Sequence, residues 1–586
     1  MNTRTRLRIA GQSGTGLLSV GSILIRSLRD MGFYCVADRE FPSLIKGGHS
    51  CFTINFSDQP LKSLSQTCDI LVTIDKPSTQ AYFDTLDEGG VWVHGYERPV
   101  GLKDFRDTAD KRHITTVHMP TRTTAKEVGG TDLQQNVVLT GMAWKVLGLP
   151  YDILETEMKR KFAKKPQFME SNLAALKAGY ERTEYQIPQT KYQIPKKKER
   201  RMLIDGNHAI ALGAIHAGVR VYYAYPMSPS SSILTHMADY AKEVGMIVKQ
   251  GEDEITVANL NMGSWYAGTR SLCATSGGGY DLMTETVSLA GIIETPWVGI
   301  IVQRPGPATG LPTWTAQGDL NLAIYSSHGE FARCVIAVSD PEDNFTLIQH
   351  ALNLAEKFQI PVIVLSDRVT GESLLTVPEF AQNTIPIERH LVTGKNLEKL
   401  DNHDRYKITK DGVSKRWIPC SHPDKYYFAN GDEHDGMGRL DEDQSAGEMY
   451  AKRFRKLETL EKDLPEPEVL GVKKEADISF VGWGSSKNVM QDIIGQQGIS
   501  GKRQGVRINY LHYSYVYPLK TKSLEKFFKD NPNVHLIEGN HTGQLGQLIE
   551  QKTSLKFKGK LLKWNGRPFF VEDLENYIKE QMPKTK

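Results

Sequence analysis

Cysteine is scarce in this sequence, and no two cysteines are spaced as CxxC. The six among 586 residues are Cys35, Cys51, Cys68, Cys273, Cys334 and Cys420. Iron–sulfur clusters and zinc ribbons use closely spaced cysteines, so the sequence excludes a local ferredoxin-type cluster motif and a zinc ribbon. Scattered cysteines also fail to form the disulfide framework of a secreted domain, and we therefore expect free thiols in a reducing cytosol.

Long apolar runs and an excess of one charge are absent as well. No uncharged apolar stretch reaches the ~18 residues of a membrane-spanning helix. Lys and Arg number 72 against 69 for Asp and Glu, and a net charge of +3 gives no sign of nucleic-acid binding by bulk charge. The basic start, MNTRTRLRIAGQSGTG, continues into polar, Gly-rich residues instead of the apolar segment of a signal peptide.

Short apolar runs alternate with helical patterns along most of the chain, which predicts a multidomain α/β protein. Helices are expected at 17–30 and, with many charges, at 447–462. Near-continuous apolar strands joined by helices after residue 202 predict a doubly wound parallel sheet covered on both faces. The predicted units are an α/β domain at 1–184, an extended linker at 185–201, the parallel-sheet domain at 202–391, an irregular polar arm at 392–464 and an α/β domain at 465–586.

Two glycine motifs lie in the first unit. GQSGTG has glycines at 11, 14 and 16, which is not the spacing of a dinucleotide-binding fingerprint, and it is either a tight strand-to-helix turn or an anion-binding helix start. The run Lys46-Gly47-Gly48-His49-Ser50 is either a phosphate-contacting loop or a plain turn. No GxxxxGK[ST] motif occurs, so nucleotide hydrolysis has no support.

Four predicted strands of the 202–391 unit end in ligand-type loops: YPMSPSS at 225–231, GEDE at 251–254, SGGG at 276–279 and QRPGP at 303–307. Each has a plain structural interpretation, since serines cap helices, acids suit a helix N-terminus and an arginine can form a structural ion pair. Ligands of such sheets bind at the carboxyl ends of the strands, so the four loops together predict one cleft. There Ser228 offers a hydroxyl, Arg304 a bidentate carboxylate site and the GEDE run a proton relay.

These loops resemble those of the 2-oxoacid:ferredoxin oxidoreductase α subunits. YPMSPSS is similar to the YPITPSS motif of that family, and QGEDE, ATSGGGYDLMTE and VQRPGPATGLPT follow in the family's order. GQLGQL at 543–548 and the N-terminal GQSGTG…KGGHS segment fit too. The similarity covers essentially the whole chain and is closest to the 2-oxoglutarate branch, in which a γ-type domain precedes the α portion.

The resemblance implies a CoA-dependent oxidative decarboxylation. A 2-oxo acid, coenzyme A and oxidised ferredoxin would give acyl-CoA, CO2 and reduced ferredoxin, with succinyl-CoA as the product from 2-oxoglutarate. The chemistry would come from thiamine diphosphate and an iron–sulfur cluster. The units would then be a γ-type, CoA-associated domain, a thiamine pyrimidine-binding domain and a transketolase-C-like C-terminal domain.

The resemblance also assigns roles to single residues. Glu252 matches the glutamate that hydrogen-bonds the thiamine aminopyrimidine and exchanges a proton with it, with Glu254 as the nearby alternative. Ser228 matches a threonine that contacts the 2-oxo acid, although Met-Ser replaces Ile-Thr and one methyl is lost, and Arg304 matches the arginine that binds the substrate carboxylate. The implied cofactor-binding residues are Tyr225, Pro226, Glu252, Gly277 and Gly278, and the candidates for coenzyme A are Lys46, Gly47 and Gly48.

A second chain is implied because this one lacks the GDG motif that binds diphosphate and Mg²⁺ in thiamine enzymes. The diphosphate end, the Mg²⁺ and a 4Fe–4S cluster would lie on a β subunit in an α2β2 assembly, with ferredoxin as the electron acceptor and no metal site on this chain. Neither nucleic acid nor a membrane is expected as a partner. The alternatives are a nicotinamide-dependent dehydrogenase, a non-catalytic CoA-binding or assembly subunit and, within the family, pyruvate or a branched-chain 2-oxo acid as substrate.

Overall fold

A computed structural model of the chain describes residues 4–12, 17–41, 48–98, 102–187, 193–195, 199–382, 384–443, 445–495 and 506–582. Within these ranges no helix is both long and apolar enough to cross a bilayer. Helices and strands alternate throughout, and the described strands form three sheets. The predicted multidomain α/β fold is confirmed.

The first region has helices packed on a mixed sheet. Its strands are β1 (Thr5–Gln12), β2 (Tyr34–Glu40), β3 (His49–Ser57), β4 (Cys68–Thr73), β5 (Leu86–His94) and β6 (Thr115–His118). Its helices are α1 (Leu17–Asp30), α2 (Lys76–Tyr82), α3 (Lys103–Lys111), α4 (Thr121–Glu127), α5 (Gln135–Val146), α6 (Tyr151–Phe162) and α7 (Met169–Glu181). Helix α1 has the predicted bounds. It lies close to the sheet because Gly21 has no side chain: a Cβ there would be only 2.4 Å from the Phe52 ring.

The second region is built around a mostly parallel sheet. Its strands are β7 (Met202–Ile204), β8 (Val221–Ala224), β9 (Ile247–Gln250), β10 (Ser271–Thr275), β11 (Trp297–Gln303), β12 (Cys334–Ala337), β13 (Pro361–Asp367) and β14 (Leu374–Val377). Its helices are α8 (Gly206–His216), α9 (Ser231–Val244), α10 (Glu254–Tyr266), α11 (Gly277–Tyr280), α12 (Thr284–Ile292), α13 (Leu320–Tyr325), α14 (Pro341–Phe358) and α15 (Arg368–Glu372). Every residue of β11 and β13 is buried, as expected of central strands covered on both faces.

Residues 392–464 contain α16 (Gly394–Glu398) and α17 (Ser445–Asp463), and the rest of the described segment has mostly turns and short irregular stretches. Helix α17 begins two residues before the predicted charged helix and ends one residue after it. It is fixed to the second region by buried charges, since Lys452 and Lys456 both pair with the buried Glu294. The polar arm is therefore anchored by an ionic contact as well as by apolar packing.

The last region forms the third sheet. Its elements are β15 (Glu468–Gly471), β16 (Ile478–Trp483), α18 (Ser486–Gly495), β17 (Ile508–Tyr513), β18 (Tyr515–Tyr517), α19 (Lys522–Asp530), β19 (Val534–Glu538), α20 (Gln544–Thr553), β20 (Gly559–Leu562) and α21 (Val571–Gln581). The strand orders are β6-β5-β4-β1-β3-β2-β14-β7, β18-β12-β13-β11-β10-β8-β9 and β15-β17-β16-β19-β20. Strands β7 and β14 thus extend the first sheet, and β18 adds an antiparallel edge to the second.

Candidate active site

The four ligand-type loops lie at one edge of the second sheet. Strands β11, β10, β8 and β9 are neighbours in that order, and each adjacent pair is parallel. Their carboxyl ends therefore lie side by side, and the loops that follow them meet at that edge. The geometry supports the single cleft that the strand ends predict.

Ser228 and Arg304 are in contact, although they are 76 residues apart in sequence. The Arg304 guanidinium donates a hydrogen bond from Nη1 to the Ser228 carbonyl oxygen at 2.7 Å. The Ser228 residue itself is exposed, and Arg304 is half-buried. The 225–231 loop also contacts the SGGG run, because the Ser276 hydroxyl donates to Met227 Sδ at 2.6 Å.

The expected serine cap of helix α9 is wrong. The Ser230 hydroxyl donates to the Met227 carbonyl at 2.7 Å and makes no capping bond, because the turn before the helix already satisfies it. The loop is held from helix α8 instead. There Asn207 Nδ2 donates to the Pro229 carbonyl at 3.0 Å and to the Ser232 hydroxyl at 2.8 Å.

The two glutamates of the GEDE run occupy opposite environments. Asp253 caps helix α10 by accepting from the Thr256 N–H, so Glu252 precedes the helix and is exposed. Glu254 is the first helical residue and is 3% exposed. Its Oε1 has no hydrogen-bond partner among the described residues. A buried carboxylate without a partner is costly, so this oxygen needs a donor from a bound molecule.

Gly277 and Gly279 allow two carboxyl groups to approach the SGGG run. A Cβ on Gly279 would lie 2.6 Å from Glu254 Oε1, and one on Gly277 would lie 2.6 Å from Asp319 Oδ2. Gly278 between them is exposed and has open space where a Cβ would be. The run therefore lies between the buried Glu254 and the half-buried Asp319, and its middle residue is accessible to a ligand.

Asp319 belongs to this site, and sequence reasoning missed it. Burial, the largest cause, and the negative charge of Asp281 raise the pKa of its carboxyl to about 7, although the positive charge of Arg304 opposes both. Its Oδ2 also lacks a hydrogen-bond partner among the described residues. The available signal was its position directly before helix α13, at the end of the loop that begins with Arg304.

The remaining predicted residues lie at the rim of the site or outside the described ranges. Tyr225 and Pro226 are exposed at the end of β8. Lys46 and Gly47 lie outside the described residues, and Gly48 is described with a φ of +81°. The 302–313 run contacts the first region at Phe41, because the Thr313 hydroxyl donates to the Phe41 carbonyl at 2.7 Å.

Comparisons with known proteins agree with this geometry. Residues 212–416 match the family model described as "Pyruvate flavodoxin/ferredoxin oxidoreductase, thiamine diP-bdg", and residues 6–182 match "Pyruvate ferredoxin/flavodoxin oxidoreductase". The second sheet with its four loops therefore belongs to a thiamine diphosphate-binding domain, as the resemblance implies.

Whole-chain relatives extend the match. The chain is 32% identical to the 2-oxoacid:ferredoxin oxidoreductase subunit alpha of Sulfolobus sp, covering 97% of this chain and 96% of the relative. It is 26% identical to the 2-oxoglutarate oxidoreductase subunit KorA of Mycobacterium tuberculosis, covering 98% and 91%.

A solved structure with the same fold is the 2-oxoglutarate:ferredoxin oxidoreductase from Magnetococcus marinus with 2-oxoglutarate, coenzyme A and succinyl-CoA bound. It superposes with a TM-score of 0.89 at 28% identity, covering 99% of this chain and 100% of that one. The sequence resemblance is confirmed at the level of the family. From its match to the Sulfolobus subunit over nearly all of both chains, this chain belongs to the 2-oxoacid:ferredoxin oxidoreductases, as an α subunit.

Proposed function

We propose that this α subunit serves a CoA-dependent 2-oxoglutarate:ferredoxin oxidoreductase. The reaction converts 2-oxoglutarate, coenzyme A and oxidised ferredoxin to succinyl-CoA, CO2 and reduced ferredoxin. The observation that carries the proposal is the buried Glu254 carboxyl group at the carboxyl edge of a thiamine-type sheet, whose Oε1 has no hydrogen-bond partner among the described residues. The choice of 2-oxoglutarate is supported by the names of the KorA relatives and of the Magnetococcus marinus structure.

The residues present fit thiamine diphosphate, and we assign the aminopyrimidine contact to Glu254 instead of Glu252. Only Glu254 is buried with a spare acceptor oxygen, whereas Glu252 is in solvent. Glu254 would hold a proton between its Oε1 and the facing ring nitrogen, with Gly279 leaving the space that this carboxyl needs. Thiamine diphosphate, when bound, supplies the nucleophile and the electron sink for decarboxylation.

Arg304 and Ser228 are the substrate-binding pair of this proposal. One N–H of the Arg304 guanidinium holds the Ser228 carbonyl, which fixes the direction of the planar fork. The other N–H groups can then receive the 2-oxo acid carboxylate, with the exposed Ser228 hydroxyl beside it. Tyr225, Pro226 and Gly278 lie on the same accessible edge.

A β subunit would cover this edge. Large apolar side chains are exposed in or next to the four loops: Tyr225, Ile255, Leu282 and Leu311. Exposed apolar side chains grouped around a site are typical of a surface that another chain covers. In the proposed α2β2 enzyme, the β chain brings the diphosphate site with Mg²⁺ and the 4Fe–4S cluster that passes electrons to ferredoxin. Lys46, Gly47 and Gly48 stay the candidates for binding coenzyme A.

The test uses the chain expressed together with its β partner. We expect reduction of a viologen dye that depends on both coenzyme A and 2-oxoglutarate, with slower turnover of pyruvate and of branched-chain 2-oxo acids. Glu254→Gln should lower turnover by about 10² or more, the scale for removing a proton-transfer group. The matched variant Glu252→Gln should cost less than threefold, by our rough estimate for an exposed carboxylate. A larger loss from Glu252→Gln would return the cofactor role to that residue, and a complex that turns over no 2-oxo acid would contradict the proposed function.

A further inference from the structure

Asp319 is a half-buried acid with a buried Oδ2 atom, and neither the sequence motifs nor the proposed roles account for it. Its carboxyl group lies against Gly277, where an added Cβ would be 2.6 Å from Oδ2 and 2.8 Å from Oδ1. The backbone N–H of Asp319 donates to Gln303 Oε1 at 3.0 Å, but its own Oδ2 meets no donor in the described part of the chain. A ligand group is therefore needed to complete its hydrogen bonding.

The last region of the chain holds the backbone of Asp319 in place. Two residues earlier, Gln317 Nε2 donates to the Trp483 carbonyl at 2.8 Å, and Gln317 Oε1 accepts from the Gly539 N–H at 2.7 Å. Gln317 is buried, and these bonds fix the final turn of the loop that begins at Arg304. The carboxyl is thus presented by a rigid segment and is not on a free loop tip.

The charged groups that reach Asp319 are Arg304 and Asp281. Burial is the main reason that its pKa is raised to about 7, and the Asp281 carboxylate adds to the effect while Arg304 reduces it. An ionised Asp319 would place a second negative charge where Arg304 has to attract an anion. The burial of Oδ2 and the nearby negative charge of Asp281 both favour the protonated form of Asp319.

We propose that the 2-oxo acid binds to the form of the site in which Asp319 is a neutral carboxylic acid, and that Asp319 Oδ2–H then donates a hydrogen bond to an oxygen of the bound acid beside Arg304. This inference rests on the proposed function. No bond of the substrate is made or broken in the step. Where the free site was ionised, the Asp319 carboxylate takes up one proton from solvent to form its Oδ2–H bond, and that proton stays on Asp319. A carboxylic acid kept neutral by its surroundings is a strong donor to an anionic oxygen.

The consequence is a pH-dependent affinity. Below pH of about 7 Asp319 is already protonated, and substrate binds without proton uptake. Above that pH the free site is ionised, so binding has to bring a proton, and KM rises about tenfold for each pH unit. Arg304 keeps its charge throughout this range, so the change belongs to the carboxyl group.

The experiment measures kcat and KM for 2-oxoglutarate between about pH 6 and 9 with the α–β complex and a viologen dye. We expect the wild-type KM to rise above about pH 7, while the KM of Asp319→Asn, whose amide donates at every pH, stays level. Asp281→Asn changes an exposed residue and removes a negative neighbour, so its rise in KM should begin at lower pH. This second variant decides the matter if Asp319→Asn does not fold.

The results of this experiment distinguish a failure of the Asp319 inference from a failure of the proposed function. A wild-type complex that turns over no 2-oxo acid overturns both. An active complex in which Asp319→Asn keeps the wild-type rise in KM overturns the inference alone, as does Asp281→Asn with an unchanged or higher midpoint. A loss in kcat that is equal at every pH, with the rise in KM retained, would assign Asp319 a purely structural role.

Discussion

At the scale of single residues, Gly279 has no space for a side chain. An added Cβ would lie 2.1 Å from the Thr275 hydroxyl oxygen and 2.6 Å from Glu254 Oε1, and neither atom can move far because both residues are buried. We expect Gly279→Ala to destabilise the chain by about 1–3 kcal/mol, as overpacking does. It should also lower turnover, since Glu254 has to shift.

Gly278 is the matched control for this substitution. It belongs to the same short helix, but a Cβ there would meet open space. Gly278→Ala should leave the thermal midpoint unchanged or raise it, because alanine costs less backbone entropy than glycine in a helix. Melting curves of the two variants check the prediction, and equal midpoints would contradict it.

The sequence predicted the location of the site but not which acids serve it. The structure brings the motifs at 225–231, 251–254, 276–279 and 303–307 to one edge of the sheet, because neighbouring parallel strands have their carboxyl ends side by side. Whether Glu252 or Glu254 is buried depends on which acid caps helix α10, and Asp253 takes that position. Asp319 lies at the site because its carboxyl packs against Gly277, which is 42 positions away along the chain. No local sequence pattern predicts a contact between residues so far apart.

At the scale of elements, helix α17 is joined to the second region by an ionic cluster. Glu294 is fully buried and pairs with Lys452 and Lys456. Glu294→Gln would leave two buried ammonium groups without their counter-charge, which we expect to cost about 3–5 kcal/mol. Limited proteolysis should then cut the 392–464 segment faster than in the wild type.

The control for this variant lies at the end of the same helix. Asp463 pairs with Lys357 at 2.7 Å, and both side chains are 38% exposed. Asp463→Asn should cost no more than about 1 kcal/mol and leave the proteolysis rate unchanged, because solvent screens exposed pairs. Similar rates for both variants would show that the buried cluster does not hold the arm.

In helix α20, the first glutamine of the helix belongs to the GQLGQL motif and holds the backbone on both sides of Asp319. Gln544 Nε2 donates to the Gly318 carbonyl at 2.8 Å, and its Oε1 accepts from the Asn321 N–H at 2.9 Å. One side chain therefore hydrogen-bonds the backbone before and after Asp319. We expect Gln544→Ala to raise the KM of the 2-oxo acid by up to about tenfold, the effect of two hydrogen bonds.

Gln547 is exposed on the same helix and bonds only within its own turn region, to the Thr542 carbonyl. Gln547→Ala should therefore leave KM at the wild-type value. Steady-state kinetics of the two variants in the α–β complex make the comparison. Equal KM values would contradict the role of Gln544 in positioning Asp319.

At the scale of the whole molecule, sequence units and sheets do not coincide. The predicted unit 202–391 has its own parallel sheet, yet its short strands β7 and β14 extend the first sheet. Strands of three and four residues carry too little periodicity to reveal their partners, and pairing across hundreds of residues leaves no local trace. The loop from Arg304 to Asp319 shows the result, because it contacts the first region at Phe41 and the last region at Gly539.

Regions connected in this way should unfold together. One such connection is the Arg368 guanidinium, which donates to both oxygens of Asp38 at 2.7 and 2.6 Å with both side chains buried. Asp38 lies on β2 of the first sheet, and Arg368 begins helix α15 directly after β13 of the second. Asp38→Asn would leave the buried Arg368 cation paired only with Glu372 of its own helix, and we expect it to cost up to about 3–5 kcal/mol.

Calorimetry of the chain should then show a single heat-absorption peak for the wild type and two for Asp38→Asn, because the first region loses its coupling to the second. Asp69→Asn is the control, since Asp69 pairs with Arg6 inside the first region alone. It should lower the midpoint without dividing the peak. A wild type that already melts in two steps would contradict the coupling of the regions. An Asp38→Asn variant that still melts in one step would mean that contacts other than this pair couple them.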